Sequence, residues 1–164
     1  MMRFVDIALI LTLLGSLSAC EKFISYNGPE VTQIIVNKGE RRMRLMHHGK
    51  VLEEYNIGLG FAPVGDKEIE GDGKTPEGRY VIDRRNPNSQ FYLSLGISYP
   101  DAKDRAEARA LGKSPGGDIF IHGRPRIYRM GGRDWTAGCI AVTNREMRKI
   151  YAMVRKGTPI VITP

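Results

Sequence analysis

Residues 31–59 read VTQIIVNKGERRMRLMHHGKVLEEYNIGL, three short apolar stretches separated by two glycine-containing turns. The apolar stretches predict β-strands at Val31–Asn37, Met43–His47 and Val51–Leu59. Lys38-Gly39-Glu40 and His48-Gly49-Lys50 are typical of turns that join hairpin strands. The pattern therefore predicts an antiparallel meander at the start of the folded domain.

The rest of the chain alternates loops with further short elements. A stretch rich in Gly, Asp, Glu and Lys predicts a long loop at 61–76, and four apolar stretches predict strands at Gly78–Asp83, Ile119–Ile121, Ile140–Val142 and Thr158–Thr163. Within the loop, GDGKTPEG resembles a phosphate-binding loop, but Glu68 occupies the position where that motif requires its first glycine. The chemistry of a nucleotide-binding loop is thereby excluded.

Two helices are predicted from their boundary residues. Asp101–Leu111 is rich in Ala, Arg and Glu, with Asp101 as a possible cap and Gly112 as a stop. The second helix starts at Thr143, which has capping-box spacing to Glu146, and it presents one apolar face before Gly157. A length of 164 residues suits one domain. We expect a mainly β domain with short helices, of α+β class, over 31–164.

The N-terminus predicts export and lipid attachment. Arg3 precedes an apolar run of about half a membrane span, which is typical of a signal peptide. The run ends in Leu17-Ser18-Ala19-Cys20, which resembles the lipobox of bacterial lipoproteins. We expect residues 1–19 to be a signal peptide, Cys20 to be acylated and residues 20–30 to form a tether. The alternative is a buried helix, and Asp6 beside the run departs from the usual signal.

The basic charge belongs to the folded domain. Removal of residues 1–19 takes away one base and one acid, so the formal charge remains +7. Such a surface favours anionic partners, which for an exported protein are wall polymers or lipid head groups. The Lys and Arg residues are dispersed, and no nucleic-acid-binding motif is visible, so we expect no nucleic-acid partner.

The candidate chemistry lies at two strand ends. Ile119–Ile121 leads into His122-Gly123, and Thr136-Ala137-Gly138-Cys139 leads into another predicted strand. A thiol needs an adjacent base or a positive field to become a nucleophile, and imidazole is the usual base. If Cys20 is acylated, Cys139 has no partner for a disulfide. We therefore consider a Cys139–His122 pair beside two structural alternatives: a buried thiol and a strand-end histidine.

A zinc site is the other chemistry open to these residues. Cys139 and the three histidines could supply four ligands. Only His47 and His48 are close in sequence, and adjacent strand residues point to opposite faces. We therefore expect no metal and no cofactor.

The motifs together resemble the YkuD-type L,D-transpeptidase family. The resemblance rests on IHG at 121–123, DWTAGCIAVTN at 134–144 and three flanking segments, GDGKTPEGRY at 71–80, SLGISYP at 94–100 and GTPIVITP at 157–164. It covers roughly 31–164. The resemblance implies a mixed β-sandwich and a cysteine acyl-transfer enzyme that acts on peptidoglycan stem peptides in the cell envelope.

The resemblance also assigns roles by position. Cys139 matches the nucleophile, His122 the base, and Gly123 the residue whose carbonyl holds the imidazole tautomer; the N–H groups of Gly138 and Cys139 match the oxyanion donors. It implies attack at the bond between diaminopimelate and D-Ala of a tetrapeptide stem, through a thioester. An amine then takes the acyl group.

Two departures leave the acyl acceptor open. Many members carry Ser or Thr, then His, before the Gly-Cys pair, and an Arg two residues after the Cys, whereas Ala137 and Ala141 stand here. The acceptor could be a second stem, a lysine of a wall-attached lipoprotein, or water, and an inactive wall-binding module is a further alternative. The segment between the catalytic candidates is rich in arginine. We expect substrate contacts from Trp135, Thr136 and one arginine, Arg124 or Arg133 rather than Arg126 or Arg129.

The predicted location follows from the anchor. A lipid-anchored protein that acts on the wall faces the periplasm, and Glu21 after the acylated cysteine favours the outer membrane by resemblance to lipoproteins. The partners expected are peptidoglycan stems, the bilayer through Cys20 and, as one option, a wall-attached lipoprotein.

Overall fold

The computed structural model describes residues 22–125 and 132–164. These residues form eight strands and two helices. In chain order the elements are β1 (Gln33–Asn37), β2 (Arg42–His47), β3 (Lys50–Asn56), β4 (Gly78–Asn86), β5 (Ser94–Ile97), α1 (Ala102–Ala110), β6 (Phe120–His122), β7 (Ile140–Ala141), α2 (Asn144–Met153) and β8 (Pro159–Thr163). The mainly β class with short helices is confirmed.

The strands form one mixed sheet in the order β3-β2-β1-β8-β4-β5-β6-β7. The predicted meander is confirmed as β1, β2 and β3, paired antiparallel. β8 returns from the far end of the chain to pair parallel with β1 and antiparallel with β4. Long β4 pairs with β8 near its start and with β5 near its end, with an irregularity between Ile82 and Arg84. The sheet therefore bends along β4, with β3, β2, β1 and β8 on one side of the bend and β5, β6 and β7 on the other.

The sheet curls back on itself beyond β3. Gly58 and Ala141 exchange backbone hydrogen bonds of 2.8 and 2.9 Å, and Gly60 forms a bridge with Thr136. Residues 57–59, predicted as the end of a strand, instead leave the ladder after Asn56 and cross to β7. This crossing brings the end of the meander against the segment that carries Cys139.

Both helices begin where their caps predict. The Asp101 side chain accepts from the N–H groups of Lys103 and Asp104, and Thr143 accepts from Glu146 N–H. α2 ends at Met153, earlier than the Gly157 stop predicts. Its apolar face enters the core, with Met147 and Ile150 fully buried. No helix within residues 22–125 and 132–164 is long and apolar enough to cross a membrane.

The strand β5 is an element that the sequence analysis did not assign. All four of its residues are buried, because β5 lies between β4 and β6. Its SLGI sequence has no alternation of apolar and polar side chains, which is the pattern that reveals a half-buried strand. Pairing of Ser94 with His122 places β5 directly beside the candidate base.

Candidate active site

His122 and Cys139 lie at the same cavity, on neighbouring strands. β6 and β7 pair in parallel, with His122 opposite Ala141, and Cys139 immediately precedes β7. Both side chains line a cavity of about 410 Å³. The remaining lining residues are Asn86, Asn88, Ser89, Gln90, Phe91, Ser94, Asp118 and Phe120. The two residues separated by the arginine-rich segment in sequence are thus brought together by one strand pair.

The orientation of the His122 imidazole is fixed by the next residue. Its Nδ1 lies 2.6 Å from the carbonyl oxygen of Gly123. A carbonyl can only accept a hydrogen bond, so Nδ1 donates, and in the neutral ring Nε2 is left with its lone pair. Gly123 has no room for a side chain, because a Cβ there would lie 2.4 Å from Asn144 Oδ1. This arrangement gives His122 the tautomer that a general base requires.

Aromatic rings hold the imidazole from two sides. Phe91 lies with its ring centroid 4.5 Å from that of His122, and Trp135 meets the imidazole edge-on at 5.7 Å. His122 is 3% exposed. Burial lowers the pKa of His122, the hydrogen bond to Gly123 opposes that effect, and the nearby charge of Arg124 lowers the pKa further. His122 is therefore neutral, and able to accept a proton, at neutral pH.

The Cys139 thiol is half-buried and contacts a backbone carbonyl. Its Sγ lies 3.5 Å from the carbonyl oxygen of Asp118. Burial raises the pKa of Cys139, a backbone hydrogen bond from Phe120 opposes that rise, and the charge of Asp118 adds to it. Both directions favour the uncharged forms of the thiol and the imidazole.

The loop before Cys139 is closed by the hydroxyl of Thr136. Thr136 Oγ1 donates to the carbonyl oxygen of Cys139 at 2.7 Å and accepts from Gly138 N–H at 3.2 Å. Thr136 is buried and does not line the cavity. The predicted substrate contact at Thr136 stays a prediction. In this structure both hydrogen bonds of its hydroxyl are made within the loop that presents the thiol.

Close backbone packing fixes the position of this loop. Phe61 N–H donates to the Thr136 carbonyl at 2.9 Å, and Thr136 N–H donates to the Leu59 carbonyl at 3.2 Å. A Cβ on Gly138 would lie 2.7 Å from the carbonyl oxygen of Lys74, and Gly138 has a φ of +135°. Only glycine fits that space and backbone conformation without strain. The long loop at 61–76 is thus part of the scaffold of the thiol.

Two buried lysines hold the long loop in shape. Lys38 Nζ donates to the Thr75 carbonyl at 2.8 Å and to Glu77 Oε1 at 2.9 Å. Lys67 Nζ donates to Asp72 Oδ1 at 2.8 Å and to the Ile69 carbonyl at 2.9 Å. The sequence analysis missed both, because lysine is rarely buried and neither position stands out by pattern. The GDGKTPEG segment, residues 71–78, therefore has a structural role in this loop.

An ion pair anchors the other side of the site. Arg41 and Asp134 form a hydrogen-bonded pair with an Nη2 to Oδ2 distance of 2.8 Å, and Asp134 Oδ1 also accepts from Leu59 N–H at 2.9 Å. Both side chains are less than one-fifth exposed. The pair joins the β1–β2 turn to the segment before Trp135, and no spacing rule connects residues so far apart in sequence.

The four predicted substrate-binding residues do not line the cavity that holds His122 and Cys139. Trp135 packs against His122 and also lies 5.6 Å below the guanidinium of Arg124. Arg124 lines an adjoining cavity that shares Ser89 and Gln90 with the first. Arg133 is exposed and lines neither cavity. Arg126 and Arg129, like Cys20, lie outside the described residues.

The structure does not assemble the alternative metal site. His47 and His48 lie at the β2–β3 turn, and β2 is separated from β6 by four strands in the sheet. His47 Nδ1 lies 2.8 Å from the carbonyl oxygen of Glu30. In the described part of the chain, no group of three His, Cys, Asp or Glu side chains is placed to hold a metal ion.

Comparison with known proteins assigns the domain. The profile of the YkuD family, the L,D-transpeptidase catalytic domain, matches residues 31–162. The chain belongs to the YkuD family. Its members act on the peptide stems of peptidoglycan, which places them in the cell envelope. The predicted family is therefore confirmed, and so is the fold that it implies.

Three similar proteins illustrate the breadth of the YkuD family. The putative L,D-transpeptidase YafK of Escherichia coli K12 is 32% identical over 108 residues, which cover 64% of this chain and 38% of YafK. A point mutant of the helical cell shape determining protein Pgp2 from Campylobacter jejuni is 31% identical, with a TM-score of 0.66 over 85% of this chain and 49% of that one. Bd1075 of Bdellovibrio bacteriovorus, at 24% identity and a TM-score of 0.60, shows the fold alone. The chain spans half or less of each of the first two.

Proposed function

We propose that this chain is a cysteine L,D-transpeptidase that attacks the bond between diaminopimelate and D-Ala in peptidoglycan tetrapeptide stems. The observation that supports it best is the arrangement of His122 and Cys139 at one cavity, with Nδ1 satisfied by Gly123 and Nε2 left as a base. YkuD family membership supplies the substrate class.

The first step forms a thioester. As Cys139 Sγ attacks the carbonyl carbon of diaminopimelate, His122 Nε2 takes the thiol proton. The tetrahedral intermediate then collapses with loss of the D-Ala amine, which receives that proton from His122. The C–N bond is broken, the C–S bond is formed, and free D-Ala leaves.

The negative oxygen of the intermediate needs donors near the thiol. The backbone N–H of Cys139 is the nearest candidate, in line with the role that family resemblance assigns to it. Gly138 N–H already donates to Thr136 Oγ1. We infer that Gly138 contributes only if this 3.2 Å hydrogen bond exchanges for one to the oxyanion.

The second step transfers the acyl group to an amine. The amine of a second stem attacks the thioester, His122 accepts its proton, and the thiol is regenerated. No cofactor is required to balance either step, because the thioester retains the acyl activation of the cleaved amide.

Hydrolysis is the second candidate, with water as the acyl acceptor. The bond cleaved would be the one between diaminopimelate and D-Ala or the amide that joins a lipoprotein to the wall. Ala141, at the position where many members carry arginine, is 1% exposed and pairs with His122. No cation can reach the cavity from that position. A site with weaker hold on an acceptor carboxylate leaves the thioester open to water, giving an L,D-carboxypeptidase or an amidase.

Of the two arginines that the sequence analysis favours, Arg124 is better placed than Arg133 to bind a stem carboxylate. It lines the adjoining cavity together with Lys22, and its backbone N–H donates to Asn144 Oδ1 at 2.6 Å. A guanidinium offers a carboxylate two parallel hydrogen bonds. We assign the carboxylate contact to Arg124 rather than to Arg133.

Muropeptide mass analysis tests the function and separates the candidates. Wall sacculi incubated with the pure protein should gain cross-links and release D-Ala, whereas the Cys139→Ala protein should change nothing. Loss of D-Ala without cross-links would select the hydrolase. No change with either protein would contradict enzymatic activity and leave the wall-binding module.

We also propose that Cys20 is the acylated N-terminus of the mature protein, held at the outer membrane and facing the periplasm. The support is the Leu17-Ser18-Ala19-Cys20 sequence. Cys20→Ala should lack the acyl group and should lose its retention in the outer-membrane fraction. Unchanged membrane retention in this variant would contradict the anchor.

A further inference from the structure

The cavity that holds the thiol carries one carboxylate, which the proposed mechanism does not use. Among its ten lining residues, Asp118 is the acidic one, and none is lysine or arginine. Its neighbours along the wall are neutral amide, hydroxyl and aromatic side chains. Asp118 also contacts the nucleophile directly, since its backbone carbonyl accepts from Cys139 Sγ. The Asp118 backbone therefore lies at the nucleophile, and its exposed carboxylate is open to a charged group of the acyl donor.

Asp118 is paired with an arginine at the rim of this cavity. Arg84 Nη1 donates to Asp118 Oδ1 at 2.9 Å, and the guanidinium lies 4.7 Å from the centre of the Phe120 ring, which lines the cavity. The Asp118 side chain is 81% exposed and that of Arg84 is 45% exposed. Both charges are open to solvent, so a ligand can reach them without displacing core residues.

A ligand with both charges matches this pair better than a ligand with one. A lone ammonium would be attracted by Asp118 but repelled by Arg84. A lone carboxylate would be attracted by Arg84 but repelled by Asp118. A carbon that bears an ammonium and a carboxylate can give each side chain its opposite charge. The side chain of diaminopimelate ends in such a group, and its other carboxyl carbon is the one that the thiol would attack.

We propose that Asp118 and Arg84 form the subsite that binds the zwitterionic end of the donor diaminopimelate, with Asp118 receiving the ammonium and Arg84 the carboxylate. This inference rests on the proposed function. It makes the pair a determinant of donor specificity: stems in which either charge is blocked are poorer acyl donors.

Asp118 has a second effect that the test must separate from binding. Its charge helps to raise the pKa of the Cys139 thiol. Removing the charge therefore makes thiolate formation easier for every donor alike. A change in the ratio between donors reports recognition, whereas a uniform change reports reactivity.

The experiment measures kcat/KM for D-Ala release from three tetrapeptide donors: one with free diaminopimelate, one with its side-chain carboxyl amidated and one with its side-chain amine acetylated. Because both side chains are exposed, we expect wild type to favour the free donor by about 3- to 10-fold over each blocked donor. Asp118→Asn should abolish the preference for the free amine. Arg84→Gln should abolish the preference for the free carboxylate, and Arg84→Lys should retain part of it.

Asp83→Asn is the matched control. Asp83 Oδ1 also accepts from Arg84, at 3.2 Å from Nε, but Asp83 does not line the cavity. This variant should keep both preferences. Alkylation of Cys139 by iodoacetamide checks that the site stays formed, and Asp118→Asn should be alkylated faster than wild type.

Three results would separate failure of the subsite from failure of the function. Equal kcat/KM of wild type on all three donors overturns the subsite while D-Ala release upholds the enzyme. A uniform loss on all donors in Asp118→Asn and Arg84→Gln also overturns recognition. Absence of D-Ala release from every donor overturns the proposed function itself.

Discussion

The two walls of the cavity differ in how they are held. We call the loop 136–139, which presents Cys139 to the cavity, the inner wall; it is fixed by close backbone contacts with residues 59–61 and 73–75. The outer wall, residues 86–90, presents the exposed polar side chains of Asn86, Asn88 and Gln90. The inner wall positions the thiol for chemistry, whereas the outer wall is built for contact with a substrate. Changes on the inner wall should therefore cost stability and turnover together, and changes on the outer side should affect substrate choice.

The largest effect should follow removal of the nucleophile from the inner wall. Cys139→Ala should lower turnover by at least about 10⁴-fold, with a melting temperature close to wild type, because a half-buried thiol contributes little packing. His122→Ala should lose nearly as much. D-Ala release by single and double variants is the measurement.

The double variant decides whether the two residues act as one unit. If they do, its loss should be close to that of Cys139→Ala alone rather than the product of the two. Turnover of Cys139→Ala within about tenfold of wild type, a barrier change of about 1.4 kcal/mol, would contradict the nucleophile role.

A side chain at Gly60, which packs against the inner wall, should lower stability and activity together. A Cβ on Gly60 would lie 2.0 Å from the Gly73 carbonyl oxygen and 3.1 Å from Gly138 Cα. Gly60→Ala must push these backbones apart, so we expect the free energy of unfolding to fall by about 1–3 kcal/mol or more. Urea denaturation and D-Ala release should decline together.

Gly117→Ala is the control for this substitution. The nearest atom to a Cβ at Gly117 is Pro100 Cδ at 3.9 Å, an ordinary contact. We expect the free energy of unfolding to change by less than about 0.5 kcal/mol. Equal stability of the two variants would mean that the inner wall yields as readily as a surface loop.

The Arg41–Asp134 ion pair, behind the inner wall, should contribute more to the free energy of unfolding than an exposed ion pair. Burial raises the pKa of Asp134, but the hydrogen bonds from Arg41 and Leu59 N–H outweigh it and leave the pKa below its ordinary 3.8. Asp134→Ala removes the acceptor of Arg41 Nε and Nη2 and of Leu59 N–H and should cost about 1–3 kcal/mol of unfolding free energy. Because the folded pKa is lowered, this contribution is present above pH 3.8 and is lost as pH falls through the lowered pKa.

The matched exposed pair is Arg44 with Glu54, each about one-third exposed. Glu54→Ala should cost less unfolding free energy than Asp134→Ala, because solvent screens such pairs. Denaturation at pH 7 and again at low pH measures both variants. A larger loss in Glu54→Ala than in Asp134→Ala would remove the distinction between the anchored wall and the surface.

The smallest effects should come from charges near His122. Because burial lowers its pKa, the acidic limb of kcat/KM should have its midpoint below pH 6.5. Arg124 lowers that pKa further, so Arg124→Gln should move the midpoint to higher pH and reduce kcat/KM by about 3- to 10-fold. Arg133→Gln, exposed and outside the cavity, should stay within about twofold. A midpoint that stays fixed in Arg124→Gln would contradict the role of its charge.

Local patterns were sufficient for the elements that form through near neighbours. Glycine turns predict the β1–β2–β3 meander, and the Asp101 and Thr143 caps predict both helix starts, because a hairpin or a cap depends on residues a few positions apart. The motif around His122 and Cys139 was sufficient to place both at strand ends. Buried β5 escaped prediction because a strand covered on both sides has no alternating pattern.

The sequence by itself determined the family, the strand-rich class and the His122–Cys139 candidates, because each depends on a short run of residues. Only the tertiary structure decided which side chains surround them. The Arg41–Asp134 pair, the buried Lys38 and the Asp118–Arg84 pair join residues 34 to 93 positions apart. Such contacts arise when strands distant in sequence become neighbours in the sheet and when the sheet curls so that Gly58 meets β7, and no local spacing encodes either arrangement.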